Sequence, residues 1–109
     1  MPQFDDRERA FEAKFAHDEE MNFKIIARRN RLLGGWAARQ MGLTEAEAES
    51  YAKDVVRADF EEAGDQDVIR KVLGDLTTAG VDSSEEAVAE ALKHKEVEAR
   101  RQIIEATNL

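Results

Sequence analysis

The sequence predicts an all-α protein: a four-helix bundle with a partly disordered or extended helical N-terminal arm. Three observations lead there. Apolar residues recur at spacings of three and four over four separate stretches, the period of a helix with one buried face. Two of those stretches are preceded by Ser or Thr with Glu three residues later, a helix-start signature. Gly totals six and Pro one in 109 residues while 37% are charged, a balance that favours helices with solvated faces over loop-rich or all-β designs.

The first stripe is Ile25, Ile26, Leu32, Leu33, Trp36 and Met41, which predicts an amphipathic helix from about Asn22 to Met41. Arg28, Arg31 and Arg39 mostly fall away from the stripe. Arg29 interrupts it, so its stem is expected to run along the edge with the guanidinium in water. Gly34 and Gly35 each cost a helix interior roughly 1 kcal/mol relative to alanine. With Leu32, Leu33 and Trp36 around them they mark close approach of a neighbouring helix, a hinge being the other reading. Gly42 is the terminator.

Thr44 with Glu47 forms a capping box that opens a second helix, whose apolar face is Ala48, Tyr51, Ala52, Val55, Val56 and Phe60. The segment at positions 62–65 ends it, and Asp65 is expected to cap a third helix carrying Ile69, Val72, Leu73 and Leu76. Gly80 supplies a left-handed turn after that helix. Ser83 and Glu86 repeat the capping box before a long fourth helix with Val88, Ala91, Leu92, Ala99, Ile103 and Ile104. Connections this short favour antiparallel neighbours. The expected organisation is an arm over residues 1–21 and a bundle over residues 22–109.

Charge and composition narrow the function classes. A net charge of −8 opposes general binding to nucleic acid or acidic lipid, because phosphate attraction needs a positive footprint. With no cysteine there are no disulfides or thiolate metal sites. The first twenty residues carry ten charges and no apolar run is long enough to span a bilayer. A soluble, unprocessed, cytoplasmic protein without membrane insertion, monomeric when free, is the expectation.

Charge is unevenly spread. From Met21 to Thr44 there is no acidic residue, and Lys24, Arg28, Arg29, Arg31 and Arg39 supply five positive charges; from Glu45 to Asp67 nine carboxylates stand against Lys53 and Arg57. Intramolecular pairing of the basic helix with its acidic neighbours is the plain reading. The alternative is a nucleic-acid-binding face on helix 24–39 with Trp36 stacking on bases; Trp36 on the apolar stripe and the flanking carboxylates weigh against it.

No catalytic constellation can be assembled: no nucleophile pairs with a histidine, and Gly34-Gly35 lacks the Lys-Ser/Thr element of a phosphate-binding loop. The carboxylate-rich second helix has no calcium-loop pattern and reads as a solvated face. His17 beside Asp18, Glu19 and Glu20 is the candidate pH-sensitive position, a solvated histidine being the simpler reading. His94 has no second histidine at ligand spacing, and neither histidine is assigned to a metal. No cofactor is expected.

Before Asn22 the only large apolar residues besides Met1 and Met21 are Phe4, Phe11 and Phe15. Spacings of seven and four put the three rings on one side of a helix whose remainder, Asp5, Asp6, Arg7, Glu8, Arg9, Glu12 and Lys14, is highly charged. Two readings stand. Phe11 and Phe15 extend the first bundle helix into its core, or the segment becomes helical when a partner's groove buries the rings.

The run from Phe4-Asp5-Asp6-Arg7-Glu8-Arg9-Ala10 to Glu12-Ala13-Lys14-Phe15-Ala16-His17-Asp18 resembles the N-terminal signature of the ATP synthase zeta subunits. So do Asn22-Phe23-Lys24, Ala27-Arg28-Arg29-Asn30, Leu32-Leu33-Gly34 and Trp36-Ala37-Ala38, then Asp59-Phe60-Glu61-Glu62, Gly64-Asp65, Asp67-Val68 and Arg70-Lys71-Val72. The resemblance covers nearly the whole chain. It implies a four-helix bundle whose N-terminal arm enters the interface between the catalytic head (alpha, beta and gamma subunits) and the rotor. The arm would block rotation in the hydrolytic direction more than in the synthetic one, at the inner face of the bacterial inner membrane. Phe4, Phe11 and Phe15 would be buried anchors; Arg7, Arg9 and Lys14 would meet carboxylates, and Asp5, Asp6, Glu8 and Glu12 basic groups.

Overall fold

Each stretch of three-and-four spacing folds as a helix in the computed structural model of the chain. The order is α1 (Pro2–Met41), α2 (Glu45–Glu61), α3 (Asp65–Thr78) and α4 (Glu85–Thr107). The backbone is described for residues 2–61 and 64–107, and the side chains for residues 18–59 and 64–106.

Glycines end α1 and α3 by the same device. Gly42 takes φ +73° and Gly80 φ +80°, conformations that cost a residue with a Cβ more than glycine. The Gly42 N–H then donates to the Arg39 carbonyl at 3.1 Å and that of Leu43 to Ala38 at 3.0 Å. After α3, Gly80 donates to Thr77 at 3.0 Å and Val81 to Leu76 at 2.9 Å. These paired bonds satisfy carbonyls that a helix end otherwise leaves unmet.

The start of α2 matches the expectation. The Thr44 N–H donates to Glu47 Oε1 at 3.0 Å and the Glu47 N–H to Thr44 Oγ1 at 3.2 Å. The Thr44 backbone N–H, then the Thr44 side chain, hold the Glu47 carboxyl below its ordinary pKa. Glu47 therefore contributes stability above the ordinary carboxylate range, and that contribution is lost as pH falls through the lowered value. Two results are expected from thermal melts. Thr44→Ala costs about 1 kcal/mol at neutral pH, and the difference between the natural protein and Glu47→Gln shrinks on acidification.

The other two starts differ from expectation. Ser84 caps α4 in place of Ser83, its Oγ accepting from the Ala87 N–H at 3.1 Å, so Glu86 is not the third helical residue and closes no box. Asp65 is the first residue of α3, preceded by Gly64 at φ +142° with no side-chain cap. Its carboxylate is committed elsewhere, to Arg29.

Among the described residues, α1 packs against both α2 and α4, and α3 packs against all three other helices. The core is Leu33, Ala37, Val55, Val68, Ile69, Val72, Leu76, Val88 and Leu92, with Trp36, Met41 and Tyr51 packed at its edge. On α1 the fully buried positions also include Gly34 and Ala38, so small residues line the place where partner helices come closest. A Cβ on Gly34 would lie 2.7 Å from Ala52 Cα and 3.2 Å from Ala52 Cβ, which selects close approach over a hinge. Gly35 has open space there instead.

At the α2–α3 contact, Tyr51 Oη donates to Asp75 Oδ2 at 2.8 Å, and Lys71 Nζ reaches the same oxygen at 3.1 Å. Burial, then the Asp75 hydrogen bond and the charges of Asp75 and Asp54, push the Tyr51 hydroxyl pKa well above its ordinary value. Tyr51 stays neutral and donating at any physiological pH.

Candidate functional site

Burial along the described part of α1 begins at Ile25, 4% exposed. Asp18, Glu19, Glu20, Asn22, Phe23 and Lys24 are exposed and Met21 half-buried. The helix nevertheless continues N-terminally to Pro2. At 1.5 Å per residue α1 is about 60 Å long, and the molecule's longest dimension is 65 Å. This extended helical segment carries Phe4, Asp5, Asp6, Arg7, Glu8, Arg9, Phe11, Glu12, Lys14 and Phe15, and also His17. Their side chains lie outside the described residues.

The base of the segment is held by one buried cation. Arg29 is 2% exposed, against the expectation that its guanidinium would stay in water. Its Nη2 lies 3.1 Å from Asp65 Oδ1, its Nη1 3.2 Å from Glu96 Oε1, and its Nε donates to Asn30 Oδ1 at 3.1 Å. Burial is tolerable because every guanidinium nitrogen has an acceptor and the two carboxylates remain half-exposed and hydrated. The clasp joins α1 to the start of α3 and the middle of α4, one turn past the first buried residue. Asn30 is 1% exposed and its Nδ2 has no acceptor among the described residues. Glu96→Ala leaves Arg29 Nη1 short of a partner and is expected to cost about 1–2 kcal/mol by denaturant unfolding.

Sequence reasoning missed this clasp, although a signal for it exists. The apolar stripes of α1 and α4 each have one gap at a buried register position, Arg29 between Ile25 and Leu33, and Glu96 between Leu92 and Ala99. Two gaps of opposite charge on neighbouring helices point to a pair.

The basic face is only partly available. Arg28 donates to Gln102 Oε1 at 3.0 Å, Arg31 lies 3.5 Å from Glu49, and Lys24 lies 3.7 Å from Glu20. With Arg29 buried and Trp36 packed against the core, the face imagined for nucleic acid loses its central cation and its stacking ring. His94 sits 3.2 Å from Glu90 on the exposed side of α4. No group of three or more metal-ligating side chains occurs among the described residues, and none of their helices is long and apolar enough to cross a membrane.

The family model described as ATPase inhibitor subunit zeta matches residues 1–102. The chain belongs to the ATPase inhibitor subunit zeta family. The match takes in the N-terminal half of α1 as well as the clasp and the bundle. A structure determined by solution NMR is similar at 44% identity and a TM-score of 0.69, over 79% of this chain and 98% of that one. Comparison with curated proteins gave no match.

Proposed function

We propose that the chain is a non-catalytic inhibitor subunit of an F-type ATP synthase, which blocks ATP hydrolysis by inserting the N-terminal half of α1 between catalytic head and rotor. The observation that carries this is the continuation of α1 to Pro2, far ahead of the bundle core that starts on α1 with Ile25 among the described side chains, in a chain matched to the inhibitor family from its first residue. A helix that enters an interface between moving subunits needs apolar anchors and charge complementarity, with no nucleophile. Phe4, Phe11 and Phe15 provide the anchors. Asp5, Asp6, Arg7, Glu8, Arg9, Glu12 and Lys14 orient the helix against oppositely charged groups of the alpha, beta and gamma subunits.

Residues 1–21 are then the working segment and residues 22–109 its holder. The wedge stops hydrolytic rotation more than synthetic rotation, and the protein works at the inner face of the membrane as a peripheral subunit. The test is ATP hydrolysis by a zeta-free catalytic head titrated with the full chain. Saturable inhibition is expected, with ATP synthesis by the intact complex affected less; undiminished hydrolysis at saturating protein contradicts the proposal.

A further inference from the structure

A second surface lies beside the root of the arm. Where α1, α2 and the end of α4 meet, a groove of about 460 Å³ has Phe23, Ala27, Val56 and Ile103 as its apolar lining. Its charged lining among the described residues is Lys24, Arg28, Arg31 and Lys53, with no carboxylate. In a chain with 24 acidic and 16 basic residues, four positive charges out of four is a local reversal of sign.

The chain does little to neutralise that charge. Lys24–Glu20 and Arg31–Glu49 are exposed pairs at 3.7 and 3.5 Å, and such pairs are weak in water. Arg28 is held by the neutral amide of Gln102, whose own Nε2 faces Glu98 Oε1 at 3.5 Å, and Lys53 makes no ion pair among the described residues. The neighbouring groove between α1 and α2 differs, since Glu45 and Glu49 line it together with Arg28, Arg31 and Arg39 and offset most of the charge internally.

Lys24 and Arg28, and Ala27 and Arg31, are pairs four residues apart on one face of α1, over about 10 Å of its length. An opposing amphipathic helix with apolar residues on its seam and carboxylates beside them matches both the period and the charge. Lys24 lies three residues after the segment proposed to insert, so whatever receives the arm comes within reach of this groove. We propose that the groove docks a carboxylate-bearing amphipathic helix of the ATP synthase catalytic head, as a second attachment beside the inserted arm. This rests on the inhibitory function proposed above.

The experiment measures binding to immobilised catalytic head, and inhibition of its ATPase, at low and moderate salt. Four full-length proteins are compared: the natural chain, Arg28→Glu/Lys53→Glu, a control of equal charge change (Arg70→Glu/Lys93→Glu), and Phe15→Ala. The groove variant is expected to bind about ten-fold more weakly, to lose most of its salt dependence and to reach the same inhibition plateau, since the steering charge is gone and the arm is intact. The control should behave as the natural chain, and Phe15→Ala should raise the concentration for half-inhibition about thirty-fold while keeping salt-dependent binding. If circular dichroism shows the double variant misfolded, Lys53→Gln on exposed α2 replaces it, with a smaller change in the same direction.

Equal affinities of groove variant and control overturn the groove and leave the arm standing. Groove-dependent binding without inhibition by the natural chain keeps the groove and overturns the arm. Absence of binding by the natural chain overturns both. Groove-dependent binding to phosphatidylglycerol vesicles or to DNA, with none to the head, overturns the proposed partner.

Discussion

Alanine at Gly34 is expected to destabilise the bundle by about 1–3 kcal/mol, and alanine at the adjacent Gly35 to stabilise it by about 0.5–1 kcal/mol. The two glycines occupy one helix, so both substitutions gain the same helix propensity. Only their surroundings differ. At Gly34 the new Cβ would meet Ala52 Cα at 2.7 Å and Val55 Cγ2 at 3.3 Å. The nearer atom is backbone, which no rotamer change can move aside, so α1 and α2 must separate across the buried contact of Leu33, Ala52 and Val55. At Gly35 nothing lies within 4 Å of the new atom, and the reduced freedom of the unfolded chain is the main effect. Thermal melts should therefore move in opposite directions, by about 4–8 °C per kcal/mol in a domain of this size. Shifts of the same sign would contradict the packing assigned to Gly34.

Alanine at Phe11 or Phe15 is expected to raise the concentration for half-inhibition of the catalytic head about thirty-fold, the equivalent of about 2 kcal/mol for a buried aromatic anchor. The melting temperature should change little, because the proposed function places both rings on the arm and outside the bundle core. A bundle core containing these rings gives the reverse pattern, a large loss of stability with inhibition per folded molecule retained. Measuring both quantities on the same proteins separates the two readings that the sequence left open.

The helices were legible because each carries its own period and its own punctuation. Gly42, Thr44 with Glu47, and Gly80 act through bonds within a few residues, which a sequence displays directly. The depth of burial was less legible, since it depends on which helices lie against each face. Of the stripe residues Leu32, Leu33 and Trp36 only Leu33 is fully buried, and beside it lie buried Gly34, Ala37 and Ala38, which were not named on the stripe and are small where partner helices approach. Val68 was passed over and is fully buried, whereas Ile104, expected on the stripe, is 42% exposed. Arg29 was placed in water because its partners, Asp65 and Glu96, are 36 and 67 positions away and only the tertiary fold brings them together. The anchoring residues of the arm were legible as a pattern of rings and charges, and their roles rest on the partner that would receive them.

The central claim is that residues 1–21 inhibit and the bundle positions them. The direct measurement is ATP hydrolysis by zeta-free catalytic head titrated with the full chain and with a version lacking residues 1–18. The account expects inhibition by the full chain and its loss in the truncated one, with the bundle still folded. Equal inhibition by both would place the active surface on the bundle and contradict it.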